Sequence, residues 1–83
     1  MLSIEDIQAA IKQIISDEMG TPTHTIGTSQ SFYDLGLDSV NSIFLLAKLE
    51  NELSVYIDPL SLFDNPTIES FSNYVYQQLN GGS

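Results

Sequence analysis

Apolar residues recur along the first stretch of the chain at steps of three and four, as Ile4, Ile7, Ile11, Ile14 and Ile15, with Glu5, Lys12, Gln13 and Asp17 between them. That is the period of a helix with one face against a core. Ser3 stands before the run and Asp6 three positions on, the reciprocal pair that closes a helix start, and Gly20 follows as a stop, so a helix is predicted over residues 4–18. The pattern then fails. "GTPTHTIGTSQS" holds turn formers and few large apolar residues, the composition of a long surface loop. Phe32, Leu35 and Leu37 return apolar groups and are expected to pin the far end of that loop into the core.

From Ser39 to Leu53 there is no glycine or proline, and the helical period resumes. At about 100° per residue, Leu45, Leu46, Leu49 and Leu53 gather on one side, while Val40, Ile43, Phe44 and Ala47 gather on the other. One helix of a small bundle presses one face on the core, so the second stripe is either covered by the loop and a neighbouring helix or left open. Exposure is expected for Phe44, while Val40 is evenly balanced. An open strip rimmed by Asn41, Lys48, Glu50 and Asn51 would be a docking surface for another protein.

Asp58 before Pro59 is expected to open a short helix through "LSLF", which Pro66 ends. Thr67 then caps a last helix with Ile68, Phe71, Val75 and Leu79 on one stripe. With no convincing strand and no repeat, the predicted fold is all-α: a small four-helix bundle of three main helices and one short one, with a long loop between the first and second. Residues 1–80 are read as a single domain, and 81–83 as a flexible tail or cloning scar.

Composition narrows the chemistry. None of the 83 residues is cysteine, which removes disulfides, thiolate nucleophiles and sulfur metal sites. Eleven acidic residues against two basic ones leave a formal charge of −9, which repels phosphate backbones and anionic lipid, so neither nucleic acid nor membrane is an expected partner. Proteins with basic patches are favoured instead. No export signal or membrane-length apolar run is present, and a cytoplasmic location is expected. His24, alone in the loop, reads as an ordinary solvated residue; no triad, metal cluster or phosphate-binding glycine loop can be assembled. The acid pairs Asp17 with Glu18, and Glu50 with Glu52, read as solvated helix surface. No catalytic residue is expected, and the chain is read as no enzyme.

There remains "DLGLDSV" at 34–40, which puts Ser39 behind an aspartate at a helix start. Asp38 or Ser39 serves there as the helix cap. No general base lies nearby in sequence, so any reaction at the Ser39 hydroxyl needs an outside catalyst. A phosphate ester at this place would lie over unpaired N–H groups and the positive end of the helix dipole. Capping and modification are compatible, and the residues alone do not separate them.

"DLGLDSV" followed by an apolar helix resembles the phosphopantetheine attachment motif of acyl and peptidyl carrier proteins, and "LFDNPTIESFSNYV" looks like their third and fourth helix segment. The likeness runs from the first helix to about Leu79. It implies that Ser39 receives 4′-phosphopantetheine from coenzyme A through a separate magnesium-dependent phosphopantetheinyl transferase. The arm's thiol would then hold acyl groups as thioesters. It further implies that Asp38 helps present the site to the transferase, and that Gly36 permits a tight turn or close approach of a partner's backbone. Leu37 and Val40 match positions that partners touch, with core the other reading for Leu37; Ile43, Phe44 and Ala47 extend that surface along the helix.

Fatty-acid carriers resemble one another in acidic residues along the second helix, where this chain has Asn41, Ser42, Phe44 and Lys48. The resemblance therefore points away from a fatty-acid carrier, and "GLDS" leans toward polyketide-type carriers. The expected partners are the transferase and acyl-loading or acyl-modifying enzymes such as ligases, acyltransferases or ketosynthases, met by a monomer. A start at Met1, two residues before the first cap, is read as a freestanding carrier. The alternatives are an unmodified acidic interaction module, which makes the motifs coincidence, and an aminoacyl or peptidyl carrier, which shares the chemistry and differs in cargo. An autonomous hydrolase ranks last, for want of a partner histidine.

Overall fold

The reciprocal cap expected at residue 3 closes the first helix. Ser3 Oγ accepts the Asp6 N–H at 3.1 Å, and the Asp6 carboxylate accepts the Ser3 N–H at 3.0 Å. The Ser3 backbone N–H, with its hydroxyl, holds the Asp6 carboxyl below the ordinary aspartate value. The computed structural model, which describes residues 2–81, has α1 at Ile4–Met19, α2 at Ser39–Leu53, α3 at Ser61–Asp64 and α4 at Ile68–Leu79. Gly82 and Ser83, most of the expected tail, lie outside the described residues, as does Met1. Among the described residues, extended pairing is confined to one bridge between Ser31 and Thr67. None of their helices is long and apolar enough to cross a membrane.

The all-helical bundle is as predicted. Ile7, Ile11, Ile14 and Ile15 of α1 are buried, as are Leu45, Leu46 and Leu49 of α2 and Ile68, Phe71 and Val75 of α4. Helix α1 ends on Gly20, whose left-handed backbone (φ 69°) returns its N–H to Ser16. Thr67 caps α4, its hydroxyl accepting the Ser70 N–H. Ser72 is buried on α4 yet satisfied, donating to the Glu69 carbonyl at 2.9 Å and accepting from Gln8 at 3.1 Å.

The long loop is more built than its composition implies. A single 3₁₀ turn, Thr23–Thr25, delivers Ile26 into the core, an anchor that a lone isoleucine among turn formers does not announce. Phe32 and Leu37 are buried as expected, and Phe32 meets Phe71 edge-on with ring centroids 5.7 Å apart. The loop is then tied to the start of α4: the Phe32 N–H donates to the Pro66 carbonyl at 2.8 Å, and the Glu69 N–H to Thr28 at 2.9 Å.

The third helix differs from expectation. Asp58 and Pro59 form a turn instead of opening it, because Asp58 Oδ1 accepts the Leu60 N–H two residues on, at 3.0 Å, and α3 begins only at Ser61.

Candidate functional site

Asp38 and Ser39 divide the start of α2 between them. Asp38 is the cap, its Oδ1 accepting the Asn41 N–H at 2.8 Å, while its carbonyl accepts from Ser42. Ser39 is the first helical residue and is exposed. Among the described residues its hydroxyl takes part in no side-chain hydrogen bond, because the capping position is already filled. The N–H groups of Ser39 and Val40 lie in the first turn, where no intrahelical acceptor exists.

The approach to Ser39 is a tight turn. The Leu35 N–H returns to Ser31, the Gly36 N–H to Tyr33 and the Leu37 N–H to Phe32, all at 3.0–3.1 Å. Closing it puts Gly36 at φ +89°, which a side chain would strain, and a Cβ there would meet the Met19 methyl at 3.3 Å. Of the two roles open to Gly36, the turn is the one its backbone performs.

Beyond the turn, the outward stripe of α2 is open: Val40 is 57 % exposed, Ile43 64 % and Phe44 51 %, with Ala47 exposed beside them. For Leu37 the structure takes the core reading. Read either as partner-touching or as core, it is 6 % exposed and packs in the core, since the turn that leaves Ser39 outside points the residue two before it inward. Part of the rim is engaged within the bundle. Asn41 and Lys48 both reach Glu18 on α1, the lysine at 3.8 Å, and Glu50 is half-buried with its carboxylate on the Ile57 N–H at 2.8 Å. Glu18 and Glu50 are therefore not simply solvated surface.

A cleft of about 630 Å³ opens beside Ser39, between α2, the loop and α3. Phe32, Leu37 and Leu46 line it from the core side, and Ile43, Leu62 and Phe63 wall it. Tyr33, Leu60 and Phe63, exposed around this region, had no place among the predicted site residues; α3 is too short for a periodic pattern to mark its outer face. His24 is exposed in the 3₁₀ turn, and no three potential metal ligands group together among the described residues.

The helical bundle thus offers a serine hydroxyl free of side-chain hydrogen bonds at a helix start, beside an apolar cleft and an open apolar strip. Residues 9–75 match the family model described as the phosphopantetheine attachment site, and the chain belongs to that family. Its cofactor is thus phosphopantetheine, and carrier domains of this kind are not catalysts.

A free-standing peptidyl carrier protein from an Acinetobacter baumannii secondary metabolic pathway superposes with a TM-score of 0.86 at 28 % identity, over 93 % of this chain and 96 % of that one. An HMG-ACPI domain from the CurA module of Lyngbya majuscula gives 0.83 at 26 % identity, over 98 % and 83 %. In sequence, the chain is 34 % identical over 62 residues, 75 % of its length, to the polyketide synthase PksL of Bacillus subtilis. It spans 1 % of that protein, 8 % of a non-canonical nonribosomal peptide synthetase of Cladobotryum sp and 3 % of a non-reducing polyketide synthase of Aspergillus flavus that it also matches.

The residues present suit the cofactor. The hydroxyl is reachable, the first-turn N–H groups can receive a phosphodiester, and the neighbouring surface is apolar.

Proposed function

We propose that Ser39 is the attachment residue, and that residues 1–80 act as one monomeric carrier unit in the cytoplasm, passing intermediates between enzymes of a polyketide or mixed polyketide and peptide pathway. The observation that carries this reading is the exposed Ser39 hydroxyl, released from capping by Asp38. Attachment joins Oγ to the phosphorus of coenzyme A that bears the pantetheine; the pyrophosphate bond breaks, adenosine 3′,5′-bisphosphate leaves, and the serine proton passes to a base. Among the described residues the carboxylate next to Ser39, that of Asp38, is turned onto the Asn41 N–H, so the base is left to a phosphopantetheinyl transferase. Once bound, the arm supplies a thiol on which acyl groups ride as thioesters.

The chain's own part is presentation. Asp38 fixes the helix start, Gly36 closes the turn before it, and Val40, Ile43, Phe44 and Ala47 offer the transferase and the acyl-loading or acyl-modifying enzymes an apolar strip. The likeness to a peptidyl carrier favours a second cargo, an aminoacyl or peptidyl group, on the same residue.

Incubation with a broad-specificity transferase and coenzyme A, followed by intact-mass measurement, tests the assignment. Wild type is expected to gain one phosphopantetheine and Ser39→Ala none. A gain in Ser39→Ala, or none in wild type with several transferases, refutes it.

A further inference from the structure

Three N–H groups of the α2–α3 linker converge on one residue. The Glu50 carbonyl accepts from Ser54 and, at 3.3 Å, from Val55, while its carboxylate accepts from Ile57 at 2.8 Å. Ser54 adopts a left-handed backbone (φ 53°) that a non-glycine residue takes only when its surroundings impose it. Ile57 is thereby delivered into the core, where it is buried. The next residue, Asp58, holds α3: its carbonyl accepts the Ser61 N–H at 2.9 Å and the Ser61 hydroxyl at 2.6 Å. Helix α3 carries Leu62 and Phe63, one wall of the cleft at Ser39. Four residues cannot sustain a helix unaided, so this wall stands where the linker puts it.

We propose that Glu50 is a positioning residue for the Ser39 site. Its carboxylate, at the far end of α2 from the serine, fixes the facing wall through Ile57 and Asp58, and so sets the surface that the transferase meets. This rests on Ser39 as the attachment residue, and the test separates the two claims.

Amide hydrogen exchange and transferase kinetics are measured on the full chain, as wild type, Glu50→Ala, Glu50→Gln and Ser39→Ala. Loss of the acceptor in Glu50→Ala is expected to speed exchange at the Ile57 amide about tenfold or more, with Ile11 and Val75 amides held within about twofold. The transferase KM for this variant rises about fivefold with kcat near that of wild type, as for a group that acts on binding alone. Glu50→Gln keeps an acceptor oxygen and stays within about threefold of wild type in both readouts. Ser39→Ala exchanges like wild type and is not modified. Equal acceleration at Ile11 and Val75, a glutamine variant as impaired as the alanine one, or faster Ile57 exchange with KM unmoved would each overturn the proposal. Failure of the attachment reading appears separately, as a wild type that gains no mass while the exchange pattern still reports on the linker.

Discussion

Asp38 and Ser39 are neighbours of the same polar class with opposite fates, one side chain turned back on its own helix and the other left to the solvent. Removing the first costs a cap. Asp38→Ala is expected to lower stability by about 1 kcal/mol in urea titrations, and Asp38→Asn, which retains the acceptor, by much less. At α1 the cap is Ser3, and Asp6 makes the reciprocal bond, its carboxylate accepting the Ser3 N–H. Its pKa is depressed in the folded chain, so as pH falls the unfolded chain takes up the proton first. The stabilisation is present above the ordinary aspartate value and is lost as pH falls through the lower, folded one. Asp6→Asn is therefore expected to flatten the wild-type decline in urea midpoint below about pH 4.

Among the elements, α2 tests the bundle most directly, because its two sides face different surroundings. Leu46, 5 % exposed, should cost about 2–5 kcal/mol on truncation to alanine. Phe44→Ala should stay within about 0.5 kcal/mol by the same thermal or urea measurement, while weakening recognition by partner enzymes. These elements were legible in the sequence because a helix writes its own period and caps within a few residues: Ser3 with Asp6, Thr67, and the leucines of α2 are local signals. Ile26, the Glu50 bond to Ile57 and the ties from the loop to α4 were not legible, since each depends on which distant or oddly spaced group the fold brings near. Leu37 shows the same limit. Its apolar character allowed core or surface, and only the handedness of the turn at Gly36 decides between them.

For the molecule as a whole, charge governs encounter. A net −9 on 83 residues, with Lys48 paired to Glu18, presents a strongly negative surface to anything that approaches. Modification by a transferase is accordingly expected to show a several-fold fall in kcat/KM as salt rises from about 50 to about 500 mM, the range over which screening shortens to a few ångströms. A flat profile would assign the encounter to the apolar strip alone.

The stitching of the loop onto α4 reaches further than its own stability. Phe32 bonded to Pro66, and Asp38 closing the helix behind it, make position 39 a fixed pivot in the bundle and not the tip of a swinging segment. If Ser39 bears the arm as proposed, a flexible tether on such a pivot sweeps a region whose radius is its own length, so the local concentration of its cargo at any enzyme is set by where the bundle lands. On that proposed attachment, presenting the cargo to a partner becomes a matter of steering a rigid body.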